Sequence, residues 1–369
     1  MARALNSRGW MVHIIVSHAK GDLFDRDAGE YVCHDLSQGA SIIGKILEIS
    51  NFLNDLLPTI LLLNHCAIGQ YALPLLASTI KPVAIIHSDD PRYYSTARHF
   101  SHRVFRWVAP TLKVAQWSRH FMSHVGDRIC LIPHGIDDAI FYPGNKDSSK
   151  GILISFAGYL DRNKGVDLLI PIFEAVTARF PDAVYAVIGE GPLREKLEHA
   201  ANAGMIRNKC IFTGAISPVE VADIFRKSSI FILPTRIEGF GLAIAEAMMC
   251  GAVPVVTWLK DVTDQLVDNG SSGFLIEQDD VAGFVGAISM LLADDNLLHS
   301  MSETAADKGV RSFSLVRMIK EYERMFSEKD DRLNRKQRNR LGWLSELLPE
   351  MLRTSSYSDL LKKGKHLFH

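Results

Sequence analysis

Two carboxylates frame the stretch of this sequence best suited to chemistry, Glu238-Gly-Phe-Gly-Leu-Ala-Ile-Ala-Glu246. Glu238 falls before the start of a helix and Glu246 one turn into it, so both can share a ligand-facing side. Gly239 and Gly241 flank Phe240 and bring backbone close to a ligand. The first amides of the helix, from Phe240 to Leu242, have no intrahelical acceptor, and the positive end of the helix dipole lies there. Such a start attracts an anion. Carboxylates repel phosphate but strengthen hydrogen bonds donated by hydroxyls. Phosphate on the amides, with sugar hydroxyls on the acids to either side, describes a nucleotide-sugar. Solvated glutamates at an ordinary helix start are the alternative, and the agreement of strand, glycines and small helix face argues against it.

The elements that must position these groups are legible around them. Residues 230–233, Ile-Phe-Ile-Leu, form a short apolar run ending at Pro234 and read as a buried strand. Residues 242–250 are strong helix formers, Gly251 is placed to stop the helix, and the next strand begins at Pro254. A second glycine loop, Gly158-Tyr-Leu-Asp-Arg-Asn-Lys-Gly165, follows an apolar strand over 152–157 and precedes a helix from Val166. Strands over 183–188 and 211–214, the latter ending in Thr213-Gly214, and helices over 193–203 and 218–228 complete an alternating strand and helix pattern.

The segment Glu238 to Glu246 resembles the signature of retaining glycosyltransferases of family 4, which have the GT-B fold. The resemblance extends from about residue 3 to residue 326. It implies two Rossmann-like α/β domains facing across a cleft, with the donor mostly on the second. It implies that Glu246 holds the ribose, that Glu238 contacts the transferred sugar, and that amides at Gly239, Phe240, Gly241 and Leu242 hold the diphosphate. The loop after Gly158 resembles the family's Gly-Arg-Leu…Lys-Gly element, in which an arginine and a lysine clamp the diphosphate. Lys164 matches the lysine; Tyr159 stands at the arginine position, and Arg162 is the substitute in the same loop. Thr213 and Gly214 fall where the family places the base. The stretch 258–264, Trp-Leu-Lys-Asp-Val-Thr-Asp, departs from the paired glycines and glutamate of many relatives. No metal and no cofactor are implied.

The first half reads as the acceptor side. Helix is expected over 2–8, stopped by Gly9, then strand over 12–17, weak strand over 31–36, helix over 42–57, strand over 59–64, helix over 67–78 and strand over 82–87. His87 lies at a strand end, where open α/β sheets place ligand groups, and the family has a histidine facing the cleft near this point. Ser88-Asp89-Asp90 ahead of Pro91 is read as a turn rather than a metal site. Residues 93–108 are basic and aromatic and read as a helix with one face in the core and one in water; an anionic acceptor or lipid headgroups are the alternative. A strand over 112–116 and a helix over 119–126 follow. Pro133-His-Gly-Ile-Asp137 resembles the family's Pro-Asn-Gly-Val-Asp element. A domain of this type normally opens on a strand and glycine loop, so the N-terminal domain is expected to lack its first strand. The divisions are 1–148, 149–312, a crossover helix over 313–327 and a tail over 328–369, with a linker over 145–151.

The totals exclude several classes. The chain has 369 residues with formal net charge −1, so no field argues for nucleic acid. Five scattered cysteines, without a Cys-x-x-Cys pair, fit reduced thiols and argue against zinc. No signal peptide is visible, and the apolar region 56–76 is too interrupted to span a bilayer. A cytoplasmic location is expected. The tail places Arg332, Arg335, Lys336, Arg338 and Arg340 ahead of an apolar stripe, a pattern that can make weak contact with the inner membrane face; a solvated tail is the alternative. The expected activity is hexosyl transfer from a nucleoside-diphosphate sugar to a glycan or lipid-linked acceptor. A degenerate chain that binds a nucleotide-sugar or a partner without turnover is the alternative; a glycan phosphorylase is weaker, for want of length for its lysine-bound cofactor.

Overall fold

In a computed structural model, residues 1–16, 32–35, 41–64, 67–87, 94, 97–98, 100–144 and 151–330 are described. The C-terminal half is a doubly wound sheet of parallel strands: β7 (Ile152–Ala157), β8 (Ala183–Ile188), β9 (Cys210–Gly214), β10 (Ile230–Leu233), β11 (Val253–Thr257) and β12 (Phe274–Ile276), in the order β12-β11-β10-β7-β8-β9. The order reverses beside β7, so the loops after β7 and β10 sit together at the carboxyl edge, where such sheets bind ligands. Ile230, Phe231 and Ile232 are fully buried and Leu233 nearly so, because a parallel strand is covered on both faces.

The N-terminal half holds β1 (His13–Val16) paired in parallel with β2 (Val32–Asp35), and a four-stranded parallel sheet, β3 (Ile60–Asn64), β4 (Lys81–Ile85), β5 (Arg106–Ala109) and β6 (Ile129–Leu131), in that order. No described strand bridges the two sheets. Alternation along β4 and β5 divides two cores. Ala84, Trp107 and Ala109 face one that includes Ile49 and Leu53 of the helix Ile42–Leu56. Val83, Ile85 and Val108 face another, filled by Met318, Ile319, Tyr322, Met325 and Phe326 of the helix Leu315–Ser327. That last helix crosses back onto the N-terminal sheet. Arg8 and Trp10 bond its Glu323, and Lys81 donates to the Phe326 and Glu328 carbonyls.

Four expectations are corrected. The expected basic helix over 93–108 does not persist: Ser101–Arg103 is a short 3-10 turn and Arg106–Ala109 is β5, hydrogen-bonded between β4 and β6. Tyr94, Phe105 and Trp107 are buried. Aromatic and β-branched residues of period two, covered on both faces, suit an inner strand better than an amphipathic helix. The expected strand over 112–116 is instead the first part of a helix, Leu112–Phe121. The missed signal is Thr111, whose hydroxyl accepts from the Val114 amide at 3.3 Å and caps the helix. The expected helix over 119–126 divides between the end of that helix and a 3-10 turn, Ser123–Arg128. The helix expected over 67–78 ends at Ala72 and passes into a 3-10 turn, Leu73–Leu75. The linker over 145–150, the Ser88-Asp89-Asp90 turn and the tail from 331 lie outside the described residues.

Candidate functional site

Three strand ends build the floor. Gly158 and Gly189, just after β7 and β8, and Gly214, the last residue of β9, sit side by side, through Gly158 N–H to the Ile188 carbonyl at 3.0 Å and Gly189 N–H to the Gly214 carbonyl at 3.0 Å. A Cβ on Gly189 would lie 1.9 Å from the Gly158 carbonyl oxygen. The edge is therefore bare backbone, able to meet a flat ligand closely. Gly158 and Gly214 were legible in the sequence; Gly189 was not among the candidate residues there. Thr213 turns its hydroxyl back onto the Gly214 carbonyl at 3.0 Å.

The Asp161–Gly165 turn carries the cation. Asp161 caps it by accepting from the Lys164 amide at 3.0 Å, and Gly165 takes φ +67°. A Cβ there would sit 1.8 Å from the Pro234 carbonyl oxygen, so the turn lies flat on the loop after β10. Lys164 Nζ reaches that loop and pairs with Glu238 Oε1; the Glu238 side chain is 9% exposed and that of Lys164 27%. The two residues, seventy-four positions apart, are thus in direct contact. Arg162, by contrast, is 83% exposed, with Asp167 at 4.0 Å.

The helix Leu242–Met249 begins on Gly241, at φ +95°, whose carbonyl already holds the Ile244 and Ala245 amides. The amides ahead of these have no acceptor within the helix, and the helix dipole lies behind them. Glu246 lies one turn on. It is partly buried, and among the described residues no hydrogen bond or ion pair reaches its carboxylate; desolvation alone pushes its pKa up to about 7. A carboxyl held without a partner at this depth is arranged for one that arrives from outside. The Asp295–Phe313 helix, absent from the sequence reading although Asp294 caps it, backs this helix: Gly309 packs on Met249, and Ser302 donates to the Gly251 carbonyl at 2.6 Å.

The N-terminal domain closes on the same loop. His87 Nε2 meets Asn64 Oδ1, and its ring stacks on His134 at 5.3 Å between centroids. His134 also meets Phe240 edge-on at 5.1 Å. Burial, and His87 beside it, depress the His134 pKa to about 4, so its ring is neutral. Thr111 Oγ donates to the Gly239 carbonyl at 3.3 Å, and Lys113 N–H to the Asp261 carbonyl at 3.1 Å. A Cβ on Gly239 would lie 2.5 Å from the His87 carbonyl oxygen. Gly239→Ala is therefore expected to wedge the domains apart at a cost of about 1–3 kcal/mol. Tm should fall by a few degrees and the radius of gyration by X-ray scattering should rise; neither change would mean that the loop yields instead.

His87, Lys164, Glu238, Gly239 and Phe240 thus converge where the domains meet. Gly158, Thr213 and Gly214 line the neighbouring strand ends, Gly241 opens the helix that carries Glu246, and Leu242 on its first turn is 48% exposed. Among the described residues no three His, Cys, Asp or Glu side chains gather closely enough to hold a metal. No single described helix is long and apolar enough to cross a membrane.

Residues 140–308 match the family model for glycosyl transferases group 1. A stretch of 209 residues is 29% identical to the UDP-Gal:alpha-D-GlcNAc-diphosphoundecaprenol alpha-1,3-galactosyltransferase of Escherichia coli, covering 52% of each chain. A stretch of 211 residues is 28% identical to the phosphatidyl-myo-inositol mannosyltransferase of Mycolicibacterium smegmatis, covering 54% of this chain and 51% of that one. The chain thus spans about half the length of the curated relatives it matches. Among solved structures, sucrose-phosphate synthase from Thermosynechococcus elongatus superimposes with TM-score 0.74 at 16% identity, over 88% of this chain and 90% of that one. Anabaena HepE in complex with UDP and glucose gives TM-score 0.73 at 14% identity, over 88% and 93%. The fold is GT-B: two Rossmann-like domains, as the resemblance implied.

Proposed function

We propose that the protein is a glycosyltransferase that moves a hexosyl group from a nucleoside-diphosphate sugar to a glycan or lipid-linked acceptor, with retention of configuration. The observation that carries the reading is the meeting of Lys164 and Glu238 beside the start of the helix Leu242–Met249, with the unpartnered carboxyl of Glu246 one turn away. The family match over residues 140–308 covers all three, and the UDP complexes among the structural neighbours support a uridine donor.

In this reading the base lies on the strand ends of β8 and β9, near Thr213 and Gly214. Glu246 accepts hydrogen bonds from the ribose hydroxyls. The diphosphate takes the amides at Phe240, Gly241 and Leu242 and the ammonium of Lys164, which together stabilise the charge that grows as the sugar leaves. Glu238, relieved of Lys164 by the diphosphate, turns to the hydroxyls of the sugar. Arg162, so exposed beside Asp167, reaches the diphosphate only by swinging in. His87 faces the transferred sugar from the other domain, and contact between the domains keeps water from competing with the acceptor. Attack from the side of the leaving group, the course implied by retention, needs no protein nucleophile.

The test is a screen of nucleotide-sugars by thermal shift followed by turnover. A donor at one hundred times its Kd adds about 2.7 kcal/mol of stability, and slow release of free sugar in water should accompany it. A nucleotide-sugar that stabilises the chain but is never consumed, with or without acceptors, would instead support a binding protein. Stabilisation by none would refute the donor site.

A further inference from the structure

Between Lys164 and Glu238, no residue of the loop after β10 is held more firmly than Arg236. Its guanidinium binds Asp167 in a fork, at 2.7 and 3.0 Å, and reaches Asp279 at 2.5 Å. It also donates to the Arg162 carbonyl at 2.6 Å, while its own amide donates to the Asn163 carbonyl at 2.7 Å. Thr235 adds a bond from Oγ to the same Asn163 carbonyl at 3.0 Å. Three segments are joined at this one side chain: the Asp161–Gly165 turn with the 3-10 turn Val166–Leu168 behind it, the Thr235–Gly239 loop, and the bend that opens the helix Val281–Ala293. Asp279 itself sits at φ +62°, a conformation uncommon outside glycine and most often taken by Asn, Asp and His.

Arg236 is one of three cations in these two loops, and its surroundings separate it from the others. Its side chain is only 19% exposed, and the two carboxylates more than balance its charge. The fork to Asp167 holds that carboxyl below its usual range. A guanidinium with four of its five N–H donors already bonded within the protein has little left for a diphosphate. Lys164, which has one carboxylate and three donors, has more.

We infer that Arg236 is a positioning residue for the donor site: it locks the turn bearing Lys164 onto the loop bearing Glu238 and thereby sets the ammonium where the diphosphate must bind, without touching the ligand. The inference rests on the donor reading above and deepens it. An arginine acting through Lys164 has no further effect once Lys164 is gone, whereas one that merely supports the fold, or meets the phosphate itself, acts in either background.

The experiment is a double-mutant cycle on nucleoside-diphosphate affinity. Calorimetry with UDP, GDP, ADP and dTDP is run on the full chain, on Arg236→Gln, on Lys164→Met and on the double variant, with Tm as the control. For the diphosphate that binds the parent, Arg236→Gln should weaken affinity about tenfold, yet change it less than twofold when added to Lys164→Met. In turnover, kcat should fall more than KM rises. Arg236→Lys should recover part of the loss, since an ammonium keeps the charge but not the fork. Equal losses in both backgrounds, or a lower Tm with affinity and kcat unchanged, would overturn the positioning role while leaving the donor reading standing. Failure of all four diphosphates to bind the parent would remove the donor reading and this inference with it.

Discussion

Lys164→Ala should lower kcat for sugar transfer by about 10²–10³, the loss typical of one fixed donor at a developing charge. The site offers few substitutes. Tyr159 has no charge, Arg162 lies in solvent beside Asp167, and Arg236 is matched by two acids. The helix amides remain, so the loss is large but finite. Binding should respond with two signs. Lys164 pairs with Glu238, so a diphosphate has to compete with an internal carboxylate for its cation. Lys164→Ala should weaken binding of a nucleoside diphosphate, and Glu238→Gln should tighten it, although both variants lose turnover. The second result separates this arrangement from a simple one in which every site residue adds affinity. A Glu238→Gln variant that binds the diphosphate more weakly than the parent would show that the two residues do not compete. Steady-state kinetics and calorimetry on the same preparations give all of these values.

The second large effect depends on pH. Burial pushes Glu246 up to about 7 from an ordinary 4.5. Its folded-state value lies above the unfolded one, so the folded chain holds this proton more tightly. The stability it contributes is complete below about 4.5 and is lost as pH rises through about 7. At about 1.4 kcal/mol per unit of pKa, ionisation costs the folded state on the order of 3 kcal/mol. Glu246→Gln removes that cost. Its Tm should match that of the parent near pH 5 and exceed it by several degrees at pH 8. Ligand affinity should do the reverse. Ribose hydroxyls donate best to the ionised carboxylate, so the parent should gain nucleoside-diphosphate affinity from pH 5.5 to 8, releasing a proton on binding at the lower end. In Glu246→Gln only the titration of the diphosphate itself, near 6, should remain, and affinity at pH 8 should be at least about tenfold weaker. Titration calorimetry in buffers of different ionisation enthalpy counts the proton directly. Identical pH profiles for the two chains would detach Glu246 from the ribose.

What the chain spelled out on its own is most of the C-terminal half, the Asp295–Phe313 helix and β12 excepted. Strands β7 to β10 are short apolar runs ended by proline or glycine, and Glu238 and Glu246 are separated only by a loop and one helical turn. Signals of this kind act within a few residues and survive in one dimension. The same local reasoning failed around 93–108. There an inner strand and an amphipathic helix differ only in what covers the second face, and that cover comes from Met318 and Tyr322, two hundred positions away in sequence. Tertiary structure alone decided the pairing of Lys164 with Glu238, the exposure of Arg162 and the solitude of the Glu246 carboxyl, because each is set by which loops lie side by side at the edge of β7 and β10. It also decided the role of Arg236. In sequence this is one arginine in a loop; in space it is where three loops meet, since Asp167 and Asp279 come to it only when the sheet has formed.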